Sequence, residues 1–223
     1  MLERGVGDLD HDRDARPTRM LGKITGVTAQ APDLVILDGD EFAIAGVDGA
    51  PLFDPSSERI EPGVINSACW RGYICTYTTT DGRLLLKELE LGYETTVNGE
   101  PLTEESVVLG VKVGRSDFAP YVLRDLSLPV PFSGGLLLRK DFIESLYVHM
   151  GFHPAWKFER VVELLLTDGE VTDPVDRSNA VAEMRSKIEA GTVSDPDDSS
   201  GGLVKWIDGT FTLDYSRSLG FSE

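Results

Sequence analysis

The chain has 223 residues, of which 41% are hydrophobic and 26% charged, enough apolar material for a real core in one large domain or two small ones. Thirty-eight acidic residues against 21 basic ones give a net charge of −17, a field that repels nucleic acid and anionic membrane and so disfavours sequence-independent binding to either. No apolar run reaches the roughly 18 residues of a transmembrane helix, and the N-terminus has no apolar signal core, so a cytoplasmic location is expected. Acidity has two readings: solubility in a salt-rich or acidic cytoplasm, or a surface that docks on a basic protein.

Residues 1–19, MLERGVGDLDHDRDARPTR, are charged, Gly-containing and without period, which predicts a disordered tail. Patterned sequence begins directly after Met20, so the tail is either dispensable or an upstream extension of the reading frame. Residues 20–223 are expected to form a single β-rich domain.

From residue 34 onward the dominant signal is a recurring turn. Asp-Gly or Asn-Gly stands at 38-39, 48-49, 81-82, 98-99, 168-169 and 208-209, usually between apolar or β-branched runs. These dipeptides accept the positive φ angles of two-residue type I′ turns, whose twist matches that of paired strands. The flanking runs agree: Leu34 to Leu37 with Glu41 to Ile44, Tyr93 to Val97 with Leu102, Val161 to Leu166 with Glu170 to Thr172, and Leu203 to Ile207 with Phe211 to Tyr215. Val107 to Val113 reads as one further strand.

Helix is scarce. Asp176 to Ala190 carries Ala180, Val181, Met184 and Ile188 as a stripe, with Asp176 or Ser178 as cap and Gly191 as stop. Asp141 to Val148 is a weaker helical candidate, with Phe142, Ile143, Leu146 and Tyr147 at helical spacing. Residues 126–131, LSLPVP, mark a break or edge crossing where two β subdomains could meet. Residues 192–202 are a polar loop before the last hairpin, which Trp206, Phe211 and Tyr215 predict to dock rather than hang free.

Val64 to Leu91 reads as one long hairpin turning at Asp81-Gly82. Alternation puts Cys69, Arg71, Tyr73, Cys75 and Tyr77 on one face and Trp70 on the other; on the return strand Leu85, Leu89 and Leu91 share a face, opposite Leu84, Leu86, Glu88 and Glu90. Both faces are partly apolar, as in a central hairpin covered on both sides. Six positions along a strand place Cys69 and Cys75 roughly 20 Å apart, too far for a disulfide. They are expected to be reduced, buried small hydrophobes.

At these residues the chain resembles a group of bacterial proteins with a Cys-Trp-Arg-Gly-Tyr core before an Asp-Gly hairpin. LFDP at 52–55, SACWRGY at 67–73 and DGRLLLKELEL at 81–91 carry the resemblance. PFSGGLLL at 131–138 and YVHMGF at 147–152 continue it in order and spacing. The resemblance implies a bacterial, cytoplasmic protein, brings no established activity and transfers no catalytic residue; a loose association of such small acidic proteins with toxins or mobile elements goes with it.

The chemistry-bearing residues fall short of a complete catalytic motif. His149 and His153 have the i, i+4 spacing of helical zinc ligands, but Gly151 and Pro154 oppose a helix and no third ligand follows, so no metal and no cofactor is expected. A Cys-His pair built from Cys69 or Cys75 lacks any sign of approach. Ser133 lacks the G-x-S-x-G context, its glycines instead suiting a bulge or close backbone approach. No phosphate-binding glycine loop is present. Glu88, Glu90 and Glu94 could line a groove opposite Arg71, or be solvated strand-edge acids. Arg71 between Trp70 and Tyr73 either pairs with a carboxylate such as Glu88 or recognises an anionic group through its planar fork.

The sequence therefore predicts a mostly β, α+β protein: an antiparallel, hairpin-rich sheet, barrel-like or a sandwich, with one helix near 176–190. The leading functional expectation is a binding protein of the immunity or partner-inhibitor type, docking on a basic protein. The competing one is a small-ligand binder or hydrolase with a pocket around Trp70, Arg71, Tyr73, His149, His153 and Trp156. An assembly component is a third.

Overall fold

The structure, a computed structural model, describes residues 30–148 and 151–192. His149, the tail at 1–19 and the hairpin expected over 203–215 lie outside the described residues. The strands in chain order are β1 (Leu34–Leu37), β2 (Asp40–Asp48), β3 (Ile60–Glu61), β4 (Tyr73–Thr80), β5 (Arg83–Leu91), β6 (Thr96–Val97), β7 (Glu100–Pro101), β8 (Val107–Val108), β9 (Val111–Lys112), β10 (Tyr121–Leu123), β11 (Leu128–Pro129), β12 (Gly134–Phe142), β13 (Phe158–Thr167), β14 (Glu170–Val171) and β15 (Val175–Asp176), followed by helix α1 (Ser178–Glu189).

Four of the Asp-Gly and Asn-Gly signals are hairpin turns with both residues at positive φ: Asp38-Gly39 (52°, 85°), Asp81-Gly82 (49°, 72°), Asn98-Gly99 (54°, 82°) and Asp168-Gly169 (49°, 76°). Asp48-Gly49 is different. Asp48 ends β2, and a Cβ at Gly49 would stand 2.9 Å from the Ser133 carbonyl oxygen, so this glycine serves a close crossing. Leu109-Gly110 (50°, 81°) supplies another turn of the same hand. The expected strand Val107 to Val113 is therefore the small hairpin β8–β9, hidden because the residue bearing positive φ is a leucine.

Seven strands close into a ring. Going round it, β1 pairs with β2, β2 with β12, β12 with β13, β13 with β14, β14 with β5 and β5 with β4, all antiparallel. The last seam, β4 to β1, is parallel, with Leu34 opposite Thr76 and Ile36 opposite Thr78. The mostly β, hairpin-rich sheet expected from the sequence is thus antiparallel round the ring except at this one parallel seam. The β14–β5 contact is narrow: Glu170 faces Arg83, flanked by Leu84 N–H to Gly169 O (2.9 Å) and Val171 N–H to Gly82 O (2.8 Å). Beyond it β10 and β11 cover the free edge of β5, and β15 that of β13, so the backbone donors there are met.

Alternate residues of the ring strands fill its interior: Val35 and Leu37, Phe42 and Ile44, Cys75 and Tyr77, Leu136 and Leu138, Leu164 and Leu166. On β5 the interior set is Leu84, Leu86, Leu89 and Leu91, which strict alternation forbids. The register explains it. Thr76 faces Glu88 while Tyr77 faces Leu86, so Lys87 is an extra bulge residue that resets the pleat. The predicted grouping of Leu85 with Leu89 and Leu91 is corrected accordingly. Leu126, Val130 and Phe132, around the proline-marked stretch, sit in this same cluster.

A second, outer layer lies against β12 and β13. Ala45, Leu137, Ala155, Trp156, Phe158, Val161 and Val181 are buried together there. Helix α1 has Arg177 at its N-cap, with no side-chain cap bond, rather than the expected Asp176 or Ser178; Asp176 stands one residue earlier, where its Oδ1 accepts the Ser178 N–H (2.8 Å). Its docked face differs from the predicted stripe: Val181 is fully buried and Ile188 packs on the layer, but Ala180 is exposed. Arg185 takes the contact position instead, donating through Nη1 to the carbonyls of Trp156 (2.8 Å) and Phe158 (2.9 Å). The second helix expected over 141–148 is a correction: β12 runs on to Phe142, and only a 3-10 turn, Glu144–Leu146, follows. Among the described residues no helix is long and apolar enough to cross a membrane.

Candidate functional site

The stretch from Val64 to Gly72 is not the strand that alternation suggests. It folds into turns, with Cys69 N–H to Asn66 O (3.0 Å) and Ala68 N–H to Asn66 Oδ1 (2.8 Å), and β4 starts only at Tyr73. Three glycines make this possible. A Cβ at Gly63 would stand 1.6 Å from the Tyr93 carbonyl oxygen, and one at Gly92 or Gly72 would stand 1.9 Å or 2.3 Å from that of Gly63. Three backbone segments therefore cross where no side chain fits. The crossing is tied by Gly92 N–H to Gly72 O (2.9 Å) and Tyr93 N–H to Val64 O (3.1 Å).

This corner divides the predicted Trp70-Arg71-Tyr73 group. Arg71 turns in: its Nη1 and Nη2 pair with the two carboxylate oxygens of Asp33, and its Nε donates to Tyr73 O at 2.8 Å. Asp33 Oδ1 also accepts the Cys75 N–H (2.7 Å). Burial opposes the Arg71 charge, but Asp33 outweighs it and holds the guanidinium above its ordinary range. The pairing with a carboxylate is as expected; the partner is Asp33, not Glu88, which pairs with Arg124 at 3.4 Å. Tyr73 is half-buried, its ring 4.8 Å below the Arg71 guanidinium, and burial pushes its phenol up. Trp70 turns out and is 67% exposed.

His153 and Trp156 belong to other surroundings. The His153 ring lies 4.9 Å from Phe142 and 5.2 Å from Tyr147, and Trp156 is buried in the outer layer. Gln30 bridges toward the Arg71 corner: its N–H donates to Gly151 O (2.9 Å) and its Nε2 donates to Ser67 O (3.4 Å). The predicted residues thus fall into two sets of contacts. Of the carboxylates expected opposite Arg71, Glu90 is buried beside Ser116 (Oγ to Oε1, 2.7 Å) and Glu94 is exposed in the residue after Tyr93. No group of three metal-ligating side chains gathers among the described residues.

Two features escape the sequence reading. Arg139, inside the run GGLLLRK, is 5% exposed on the outer layer; its guanidinium stacks 4.2 Å above the Phe158 ring, and its Nε has no hydrogen-bond partner. Burial lowers its pKa to about 9. The available signal was only that Arg139 follows directly on the apolar run Leu136 to Leu138 of the same strand.

The other is Tyr93, 62% exposed, which shares the glycine-crossed corner with Trp70 and borders a cleft of about 250 Å³. Arg115, Ser116, Asp117, Phe118, Ala119, Pro120 and Tyr121 complete its lining. The loop is held by Ser116 Oγ, which accepts from Ala119 N–H (2.9 Å) and donates to Glu90. Arg115 is paired with Glu104. Asp117 is exposed and makes no hydrogen bond or ion pair among the described residues.

Fold and corner define a closed, mixed β-barrel with an outer helix and a rigid aromatic corner. The chain matches no protein-family model, no curated protein and no solved structure in the comparisons made.

Proposed function

We propose that this chain is an acidic binding protein that docks on a basic protein partner, of the immunity or partner-inhibitor type in a bacterial cytoplasm, and that Trp70 and Tyr93 are its anchors. The observation that carries the reading is that two large aromatic side chains, 67% and 62% exposed, stand on one corner whose backbone is locked by three glycines. Trp and Tyr are the residues that most often dominate binding energy at protein interfaces, and a rigid backbone lowers the entropy lost on docking. The net charge of −17 favours a basic partner and speeds its encounter. The competing small-ligand or hydrolase pocket draws less support, because three N–H groups of Arg71 are committed to Asp33 and Tyr73.

The test places the photo-crosslinker p-benzoylphenylalanine at position 70 of the full chain in its native cell. The expected product is one adduct with a protein of high isoelectric point, and adding Tyr93→Ala lowers its yield about tenfold or more. Absence of an adduct, an adduct of twice the chain mass, or an acidic partner overturns the proposal.

A further inference from the structure

The outer layer, where α1 packs on β12 and β13, holds a buried positive charge with no answering acid. Arg139 is 5% exposed, its guanidinium lies 4.2 Å above the Phe158 ring, and it makes no hydrogen bond or ion pair among the described residues. Burial alone shifts its pKa, so no carboxylate stands close enough to offset the charge. Glu163, buried on β13, is held by Arg177. A second donor in the layer is unmet as well: the indole Nε1 of Trp156, which packs with Phe158 in the same buried cluster. Arg185 adds a further charge there, because the carbonyls of Trp156 and Phe158 satisfy its Nη1 without cancelling the guanidinium charge. Water can meet an N–H but leaves a buried charge uncompensated, and the charge is the larger cost.

We infer that Arg139 and Trp156 form a binding site for the carboxylate of a small monobasic acid, a role separate from docking at the Trp70 corner. The Nε edge of a guanidinium matches the two oxygens of a carboxylate, and an indole N–H supplies one more donor. Enclosure sets the size and character of the ligand. Both unmet donors are shielded from solvent, and Leu137, Phe158 and Val161 in the same layer are apolar and buried, so the acid has a short apolar body. Phosphate, with up to two charges to desolvate, suits these surroundings less. A buried charge that costs stability is characteristic of a residue kept for a ligand.

The full chain, labelled with ¹⁵N, is titrated with sodium acetate, butyrate and benzoate, and with butyramide, sodium chloride and sodium phosphate for comparison, all at constant ionic strength. The expected result is that at least one carboxylate shifts the side-chain Nε–H resonance of Arg139 and the indole N–H of Trp156 saturably, while butyramide and chloride leave both in place. Arg139→Met weakens carboxylate binding about tenfold or more, and this variant stays folded because the change removes a buried charge. Trp156→Phe keeps an aromatic ring in the layer and weakens binding about fivefold through the lost donor. No saturable shift with any of the three acids, an equal shift with butyramide, phosphate binding more tightly than every carboxylate, or undiminished binding by Arg139→Met overturns the inference.

Discussion

Asp33 and Arg71, 38 residues apart in the chain, form a bidentate ion pair that fixes the parallel seam between β1 and β4. Asp33 precedes β1, yet its carboxylate also accepts the Cys75 N–H inside β4, so one side chain satisfies a backbone donor and a guanidinium together. Parallel strands cannot be joined by a tight turn, and their register must be set by contacts of this kind.

Asp33→Asn is expected to destabilise the protein by about 3 kcal/mol, the lower end for breaking a buried pair, because the Arg71 side chain keeps 30% of its exposure and Asp33 only 11%. The double variant Asp33→Asn, Arg71→Met should recover part of that loss. Urea denaturation of the four species measures the coupling; additive effects would mean the pair does not set the seam.

Replacing Arg139 by methionine should stabilise the protein. The guanidinium is buried and stacked on Phe158 with its Nε unmet, and its pKa is lowered to about 9 by burial alone. Below pH 9 the group is charged in both folded and unfolded chains, so the cost of burying the charge is present in full at neutral pH. It is relieved only as the folded group deprotonates, through pH 9 and above. An apolar residue of similar volume removes the cost and is expected to add about 1–4 kcal/mol. Thermal unfolding at pH 7 checks this; a lower Tm would show that the stacked cation contributes more than its desolvation costs.

Both thiols are expected to be silent in the folded protein. Burial raises the pKa of Cys69 and raises that of Cys75 further, so at pH 8 each carries less of the reactive thiolate than a free cysteine. A disulfide-exchange reagent should titrate neither thiol in buffer and both in guanidinium chloride. Raising the pH should increase native reactivity later than for a free thiol. Fast reaction of the folded chain at pH 8 would contradict this.

Local signals in the chain were strong where a single dipeptide decides the geometry. Asp38-Gly39, Asp81-Gly82, Asn98-Gly99 and Asp168-Gly169 are legible because only a few residues accept positive φ, and each such turn sets its own antiparallel register. The helix over Ser178–Glu189 is legible for a different reason, the helical spacing of Val181 and Ile188 and the glycine that follows it. Leu109-Gly110 was not, because a leucine carries the unusual conformation there.

At the candidate site only Trp70, Arg71 and Tyr73 were visible beforehand, as an uncommon cluster of residue types. Their opposite fates were not, since strand alternation has no account of a backbone that leaves the pleat at a glycine crossing. Tyr93 and Asp117 carried no local signal at all: a tyrosine after Leu-Gly and an aspartate after Arg-Ser are ordinary residues until the chain brings them to one cleft.

The amino-acid sequence alone determined a β-rich chain, its main turns and its helix, because these follow from φ preferences and from periodicity within a few residues. Closure of the ring through a parallel seam, the bulge at Lys87 that turns four leucines inward, and the union of Trp70 and Tyr93 on one corner were decided by tertiary structure. Each depends on contacts between segments distant in sequence, where the deciding energy is the fit of one backbone against another and no residue carries it by itself.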